Sequence, residues 1–466
     1  MPIQSEHDPR LKRALKTRHI SMLALGGVIG AGLFVGSSAV ISATGPGAFI
    51  TYAITGAIVA LVMRMLGEMA AAHPSKGSFV DYARLAFGPA AGYMTGWLYW
   101  YFWVIVVGFE AVVGGQIINA WLPDLPVWMI ALGLMLVMTL LNLMSVHSFG
   151  EAEYWFAGVK VAAIVVFLLV AGAYAFHVWP NSDASFGHLT EHGGFLPHGL
   201  GSLFTGVVIV IFSMTGVEVA TLAAAESEDP TRNIRKAVNT VMVRILVFFV
   251  LATFLIVVVQ PWTDLSPGKS PFVTTLDHMG IPGAGALLNV VILVAVLSVL
   301  NAGLYTSSRL LFVLASHGEA PSWMTAVSRR GVPVRGVLAS TLIGYGCVVI
   351  AALWPQTVFQ FLINSSGTVF LFVYLMICLA QLRLRRRWVA EGSLKFAMWG
   401  HPWLPILVTV AIISVLVSMA FDPSMQLSLI QCLIAILAIA ASYLVKRLCG
   451  KPESDTHTLS AQGAKP

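Results

Sequence analysis

Long apolar segments recur along the whole chain and are separated by short polar stretches. A membrane-spanning helix needs about 20 apolar residues. The segments do not alternate between polar and apolar residues as barrel strands do, and lipid cannot satisfy open strand edges. The pattern predicts an all-α polytopic membrane protein with twelve transmembrane helices. They lie at residues 20–42, 47–71, 90–118, 126–146, 155–178, 201–222, 239–260, 284–314, 336–354, 358–382, 402–421 and 426–446.

The composition points to the same class of protein. Hydrophobic residues make up 58% of the chain and charged residues 10%, whereas soluble domains carry about 25% charged residues. The excess apolar surface is expected to face the lipid bilayer. The four cysteines have no metal-ligand spacing, so neither a metal nor a cofactor is predicted. Four histidines near residues 177–200 leave a metal site open as the alternative to a solvated loop.

Lys and Arg residues gather in the N-terminal arm, in the even-numbered connections and in the C-terminal tail, whereas the opposite side has Lys269 alone. The connection between spans 4 and 5 is the exception, since it carries Glu151 and Glu153 with no Lys or Arg. Basic residues mark cytoplasmic loops, so both termini are predicted to face the cytoplasm and the protein to lie in the cell inner membrane. The formal charge of +6 is then a signal of topology, and no nucleic-acid partner is expected. The N-terminus is polar up to Arg18, so the first apolar span is interpreted as the targeting signal.

Two predicted spans contain residues that disfavour a continuous helix. Span 1 has five glycines between Gly26 and Gly36, and span 6 reads Phe212-Ser213-Met214-Thr215-Gly216-Val217-Glu218. The glycines of span 1 favour either an unwound stretch or close packing of helices by small residues. Interrupted spans at matching positions of two halves are typical of a transporter binding site. Their free N–H and C=O groups would suit the two charges of a zwitterion.

Lys160, Glu218 and Glu110 are ionisable residues inside predicted spans, where charges are costly and normally functional. Lys160 either extends to the inner surface or exchanges protons within the membrane. Glu218 is either an acid held by backbone N–H groups or a proton-sensitive latch, and Glu110 either a helix–helix hydrogen-bonding group or a coupling residue. Arg64 and Glu68, four residues apart, are expected to form an ion pair. The chain has no GxSxG, HExxH or P-loop motif, so no catalytic residues and no ATPase subunit are expected.

Short motifs follow one another along most of the chain. They are Arg18–Met22, Arg64–Met69, Gly77–Phe79, Gly96–Trp100, Phe149–Trp155, Ala224–Ser227 with Asp229-Pro230, Asn301 with Leu304–Thr306 and Ser308-Arg309, and Gly318–Pro321. Together these motifs resemble the amino acid permease family of the amino acid–polyamine–organocation superfamily. The similarity extends from about residue 15 to 447, and the order and spacing of the motifs make it specific. Residues 96–104 and 193–197 are most similar to bacterial members that carry 4-aminobutyrate (GABA).

This resemblance implies a fold of two inverted repeats, at about residues 20–178 and 201–382, with helices 1 and 6 broken and two peripheral helices at about 402–446. An arm at 1–18 and a disordered tail at 448–466 would flank a permease domain at 19–447. It implies proton symport of a small amino acid without other cofactors, with Lys160 in the place of a sodium ion and Glu218 and Glu110 as further coupling candidates. The substrate carboxylate would meet the backbone at Ile29, Gly30, Ala31 and Gly32. The amine would meet the carbonyls of Phe212, Ser213 and Thr215 beside Gly216, with Phe212 as an aromatic gate.

Other functions remain as alternatives at this stage. The same carrier could take an aromatic amino acid, proline or another neutral amino acid. An integral membrane enzyme would need clustered His, Asp or Glu residues at one membrane face, and a channel would favour a continuous pore lining over paired helix breaks. Counterflow in vesicles separates these classes, because only a carrier exchanges label against internal substrate.

Overall fold

The computed structural model describes residues 29–73, 78–144, 147–179, 182–218, 230–328, 331–354, 357–394 and 396–449. Within these ranges the regular elements are helices and no strand occurs, which confirms the all-α prediction. A π-helical stretch at Ile245–Leu251 joins the helix that ends at Arg244 to the helix that begins at Ala252. The α-helices are α1 (Ala31–Phe34), α2 (Gly36–Thr44), α3 (Ala48–Ala72), α4 (Ser78–Phe87), α5 (Pro89–Asn119), α6 (Val127–Met144), α7 (His147–Ala175), α8 (Ser202–Ser213), α9 (Pro230–Arg244), α10 (Ala252–Val259), α11 (Pro271–His278), α12 (Ala284–Ser316), α13 (Val334–Leu353), α14 (Val358–Ala390), α15 (Trp403–Phe421) and α16 (Pro423–Cys449).

The described helices are long and apolar enough for a multi-pass membrane protein. Among the described residues, ten helices are long and apolar enough to span a membrane. One of them, Ala31–Ala72, is 42 residues long and turns at Gly45, whose φ is 64°. A straight helix of that length would extend about 60 Å, twice the hydrocarbon thickness, so the turn separates predicted spans 1 and 2. The count of twelve spans and the inverted repeat stay predictions.

Helix α5 lies at the centre of the bundle and packs against α12, α13, α6, α14 and α4. Helix α8 packs against α2 and α14, and α1 packs against both α8 and α12. By contrast, only 11% of the most apolar stretch of α16 is buried inside the protein. Apolar side chains that face away from the bundle need lipid around them. The central helices therefore surround α1 and α8, while α16 lies at the edge.

Candidate functional site

The backbone at the start of α1 is buried in the middle of the bundle. Ile29, Gly30, Ala31 and Gly32 are all buried, and Gly30 is extended, with φ −142° and ψ −158°, before the helix begins at Ala31. The Gly30 carbonyl accepts from the N–H groups of Leu33 and Phe34 at 3.2 and 3.3 Å. The N–H groups of a first helical turn have no partner within the helix. The half of span 1 before Ile29 lies outside the described residues.

Span 6 is interrupted at the position predicted from its sequence. Helix α8 ends at Ser213, and residues 214–216 form a turn before helical backbone resumes at Val217. Gly216 has φ 95°, in the region that glycine adopts most readily. The carbonyl of Phe212 accepts from both the N–H and the hydroxyl of Thr215, at 3.2 and 2.8 Å. The turn thus directs polar backbone groups into an otherwise apolar interior.

The two interrupted segments contact each other directly. The Ser213 hydroxyl donates to the carbonyl of Gly32 at 2.7 Å. A Cβ atom on Gly32 would lie 2.8 Å from the Ser213 Cα and 3.3 Å from the Phe212 ring, so only glycine permits this approach. The Phe212 ring packs edge-on against Phe109, with centroids 4.8 Å apart. The backbone is therefore extended at Gly30 and closely packed at Gly32. Each of the two alternative interpretations of the glycines applies to one of these residues.

Glu218 caps the turn that follows α8. Its carboxylate is fully buried and accepts from the Gly216 N–H at 2.8 Å and from the Tyr99 hydroxyl at 3.0 Å. Arg244 on α9 adds a positive charge to the surroundings of this carboxylate. Both interpretations of Glu218 fit this geometry, because a backbone N–H group holds the acid and a break in the helix lies beside it.

Helix α5 carries a stretch rich in aromatic residues, 97–103, part of which lies inside the bundle next to Glu218. Tyr99 packs edge-on against Phe79 at 4.8 Å, and Phe102 packs against Phe370 of α14 at 4.6 Å. Trp97 and Trp100 are less buried, and their indole N–H groups donate to the Glu319 carbonyl and the Ser340 hydroxyl. The aromatic residues on one face of α5 therefore pack in the interior, and those on another face form hydrogen bonds to neighbouring segments.

Lys160 is completely buried, which is inconsistent with extension to the membrane surface. Its ammonium group donates to the Ser298 hydroxyl of α12 at 2.8 Å. The carboxylates of Glu153 and Glu110 both exert a coulombic interaction on it. A buried ammonium group is tolerated in this position because polar and acidic groups from three helices surround it.

Glu110 lies against the start of α1 and adds a negative charge to the surroundings of Lys160. Its Oε1 atom lies 3.0 Å from the point that a Gly30 Cβ would occupy, and its carboxyl interacts with the backbone N–H of Ala31. Its Oε2 atom is buried with no hydrogen-bond partner in the described part of the chain. The coupling candidate Glu110 and the predicted carboxylate-binding backbone therefore share one location.

Sequence reasoning missed two members of this polar group, Glu153 and Ser298. Ser298 donates to the Glu153 Oε2 atom at 2.6 Å, and both side chains are buried. Glu153 precedes the apolar segment predicted at 155–178 and therefore falls in the predicted connection between spans 4 and 5. Its seven-residue spacing from Lys160, which places both on one helix face, was the signal that could have identified it.

Two other expectations concern residues outside this centre. Among the described residues, no three His, Cys, Asp or Glu side chains lie close enough together to hold a metal ion. Glu68 bonds to Arg385 at 2.6 Å rather than forming the predicted local pair with Arg64. The Arg64 guanidinium donates to the Ala397 carbonyl and stacks on the Trp399 ring.

Comparison with known proteins gives a consistent result over nearly the whole chain. The family described as amino acid permease matches residues 19–452. A gamma-aminobutyric acid permease of Bacillus subtilis (strain 168) is 47% identical over 440 residues, which are 94% of this chain and 94% of the relative. A gamma-aminobutyric acid permease of Escherichia coli (strain K12) is 42% identical over 92% of each chain. An aromatic amino acid transport protein of the same strain is 38% identical over 96% of this chain and 98% of the relative.

Proposed function

The chain belongs to the amino acid permease family, and from this premise we propose that it imports 4-aminobutyrate by proton symport and alternating access. The observation that carries the substrate assignment is the identity of 42% or more, over at least nine-tenths of the chain, to two relatives named as gamma-aminobutyric acid permeases. Membership of this family indicates that the protein is a transporter rather than an enzyme.

The two interrupted segments would bind opposite ends of the substrate. The carboxylate would bind at the backbone of Ile29, Gly30, Ala31 and Gly32, where N–H groups of a helix start attract an anion. The amine would bind beside Gly216, at the carbonyls of Phe212, Ser213 and Thr215. The Ser213 hydroxyl holds the end of α8 against Gly32. Substrate bound to both segments would therefore alter the relative position of α1 and α8. The Phe212 ring, which packs over Gly32, would close this site.

Protons would be the coupling ion, with Lys160 as the principal group and Glu110 and Glu218 as further candidates. Glu110 lies against the start of α1 and interacts electrostatically with Lys160, so a change in the charge of either group would act on the backbone where the carboxylate is proposed to bind. Glu218 would sense protonation at the other break through Gly216. The protein would lie in the cell inner membrane as one permease domain, with the arm at 1–18 and the tail at 448–466 in the cytoplasm, and would act without an ATPase subunit.

Uptake of labelled 4-aminobutyrate into liposomes that contain the purified protein tests this proposal. We expect accumulation when the outside is acidic, collapse of accumulation with a protonophore, and no change when choline replaces sodium. Unlabelled 4-aminobutyrate should compete more strongly than proline or aromatic amino acids. Strict dependence on sodium at constant pH would contradict the proton coupling, and stronger competition by phenylalanine or proline would contradict the substrate.

A further inference from the structure

A chain of hydrogen bonds leads from Lys160 to a second carboxylate on the same helix. The Lys160 ammonium donates to the Ser298 hydroxyl at 2.8 Å, and this hydroxyl donates to the Glu153 Oε2 atom at 2.6 Å. All three side chains are at most 1% exposed. The serine hydroxyl thus receives one hydrogen bond and donates another, which is the arrangement that proton transfer between two groups requires.

The charges of this network favour exchange of a proton within it. Lys160 faces two carboxylates, Glu153 and Glu110, while α12 contributes the neutral side chains of Ser298 and Asn301. Counted over the described residues, the two carboxylates and the one ammonium group carry one excess negative charge in a buried place, which is costly. One oxygen of each carboxyl lacks a hydrogen-bond partner among the described residues. The network can therefore bind one proton more than it holds when Lys160, Glu153 and Glu110 are all charged.

The network also has a direction relative to the substrate site. Glu110 lies against Gly30 at the start of α1, whereas Glu153 lies seven residues before Lys160 in α7. Seven residues correspond to about 10 Å along a helix axis. Glu153 is therefore nearer the N-terminal end of α7, which the proposed topology assigns to the cytoplasmic side.

We propose that Glu153 accepts the coupled proton from Lys160 and that Ser298 carries it between them on the way to the cytoplasm. Lys160 gives a proton to the Ser298 oxygen while the hydroxyl proton of Ser298 passes to Glu153. The serine ends unchanged, the ammonium becomes a neutral amine and the carboxylate becomes a neutral carboxyl. This inference rests on the proposed function, because it assumes that Lys160 takes part in proton symport.

The experiment compares exchange with proton-driven accumulation in liposomes. Exchange of labelled for unlabelled 4-aminobutyrate at equal pH needs no net release of protons, whereas accumulation under a pH gradient does. We expect Glu153→Gln and Ser298→Ala to lower accumulation about tenfold or more and to leave exchange within about twofold of the parent. Net uptake by Ser298→Ala should also slow further in D₂O than that of the parent, because proton transfer then limits the cycle.

Ser307→Ala is the matched control. Ser307 is a fully buried serine of the same helix whose hydroxyl bonds to the carbonyl of Leu304 in its own helix, and its loss should change neither assay. Ser298→Thr, which keeps the hydroxyl, should restore accumulation. Equal loss of exchange and accumulation in Ser298→Ala, Ser298→Thr and Glu153→Gln would show that the network only holds the helices together and would overturn the relay.

The parent protein separates failure of the relay from failure of the proposed function. If the parent neither exchanges 4-aminobutyrate nor accumulates it under a pH gradient, the proposed function is wrong. If the parent does both, and Glu153→Gln and Ser298→Ala behave like Ser307→Ala, symport stands and the relay is wrong.

Discussion

At the scale of single residues, Lys160 is under a strong physical constraint, because its side chain is charged and completely buried. An ammonium group inside a membrane protein needs acidic partners or must lose its proton. The long stem of a lysine often allows the charge to reach water, but Lys160 is 0% exposed. Its charge state must therefore affect the helices that surround it, α7, α12 and, through Glu110, α1.

Replacing Lys160 tests whether this charge couples protons to substrate. We expect Lys160→Met to lose proton-driven accumulation by about tenfold or more while substrate still binds, because the broken segments are unchanged. Lys160→Arg should not restore accumulation, since arginine does not deprotonate in proteins. Accumulation and equilibrium binding of labelled 4-aminobutyrate provide the two measurements.

Lys269→Met is the control for this change, because Lys269 is an exposed lysine in the connection between α10 and α11. It should accumulate substrate like the parent. If Lys160→Met also concentrates substrate as well as the parent does, Lys160 has no coupling role, and Glu218 or Glu110 must carry the coupled proton.

At the scale of elements, the contact between α1 and α8 depends on the absence of a side chain at one position. A Cβ on Gly32 would meet the Cα of Ser213, a backbone atom that cannot rotate away. The same approach allows the Ser213 hydroxyl to reach the Gly32 carbonyl. Packing and hydrogen bonding thus fix the relative position of the two segments that are proposed to bind substrate.

The smallest possible side chain at this contact should impair transport. We expect Gly32→Ala to lower uptake of labelled 4-aminobutyrate about tenfold, because α1 must move away from α8 and the Ser213 bond is lost. Gly172→Ala is the matched control, since Gly172 lies in helix α7 with open space around it, where alanine favours the helix. Uptake is compared at equal amounts of protein in the membrane, and normal uptake by Gly32→Ala would contradict the proposed role of this contact.

The ends of the helices show how far sequence reasoning reaches. Apolar length locates a span, because lipid requires it, and the segment predicted at 284–314 matches α12 within two residues. Polar residues end an apolar segment without ending the helix. Helix α14 continues through its arginines to Ala390, and α7 begins at His147, eight residues before the predicted start. Glu153 was overlooked for this reason, and the break at Gly216 was found because glycine beside hydroxyl residues is a local signal.

At the scale of the whole molecule, the sequence could not reveal partners that are far apart in the chain. The spacing rule for helices paired Arg64 with Glu68, which are one turn apart. The structure instead gives Glu68 three partners from elsewhere: the Arg385 guanidinium, the Gln381 amide and the backbone N–H of Met398. Arg385 is 317 positions from Glu68. Only the packing of α14 against α3 brings these groups together, and no local pattern encodes that.

This buried junction should contribute strongly to the stability of the folded bundle. Glu68 is 0% exposed and Arg385 16% exposed, so Arg385→Ala leaves a buried carboxylate without its cation, which typically costs about 3–5 kcal/mol. Arg387→Ala is the control from the same helix, because the Arg387–Glu391 pair is 66% and 46% exposed and exposed pairs contribute about 0–1 kcal/mol. We expect thermal unfolding in detergent to shift to clearly lower temperature for Arg385→Ala and to stay near the parent value for Arg387→Ala. Equal melting temperatures for the two variants would show that Glu68 is held by Gln381 and Met398 alone, and that α3 and α14 are joined by apolar packing rather than by this ion pair.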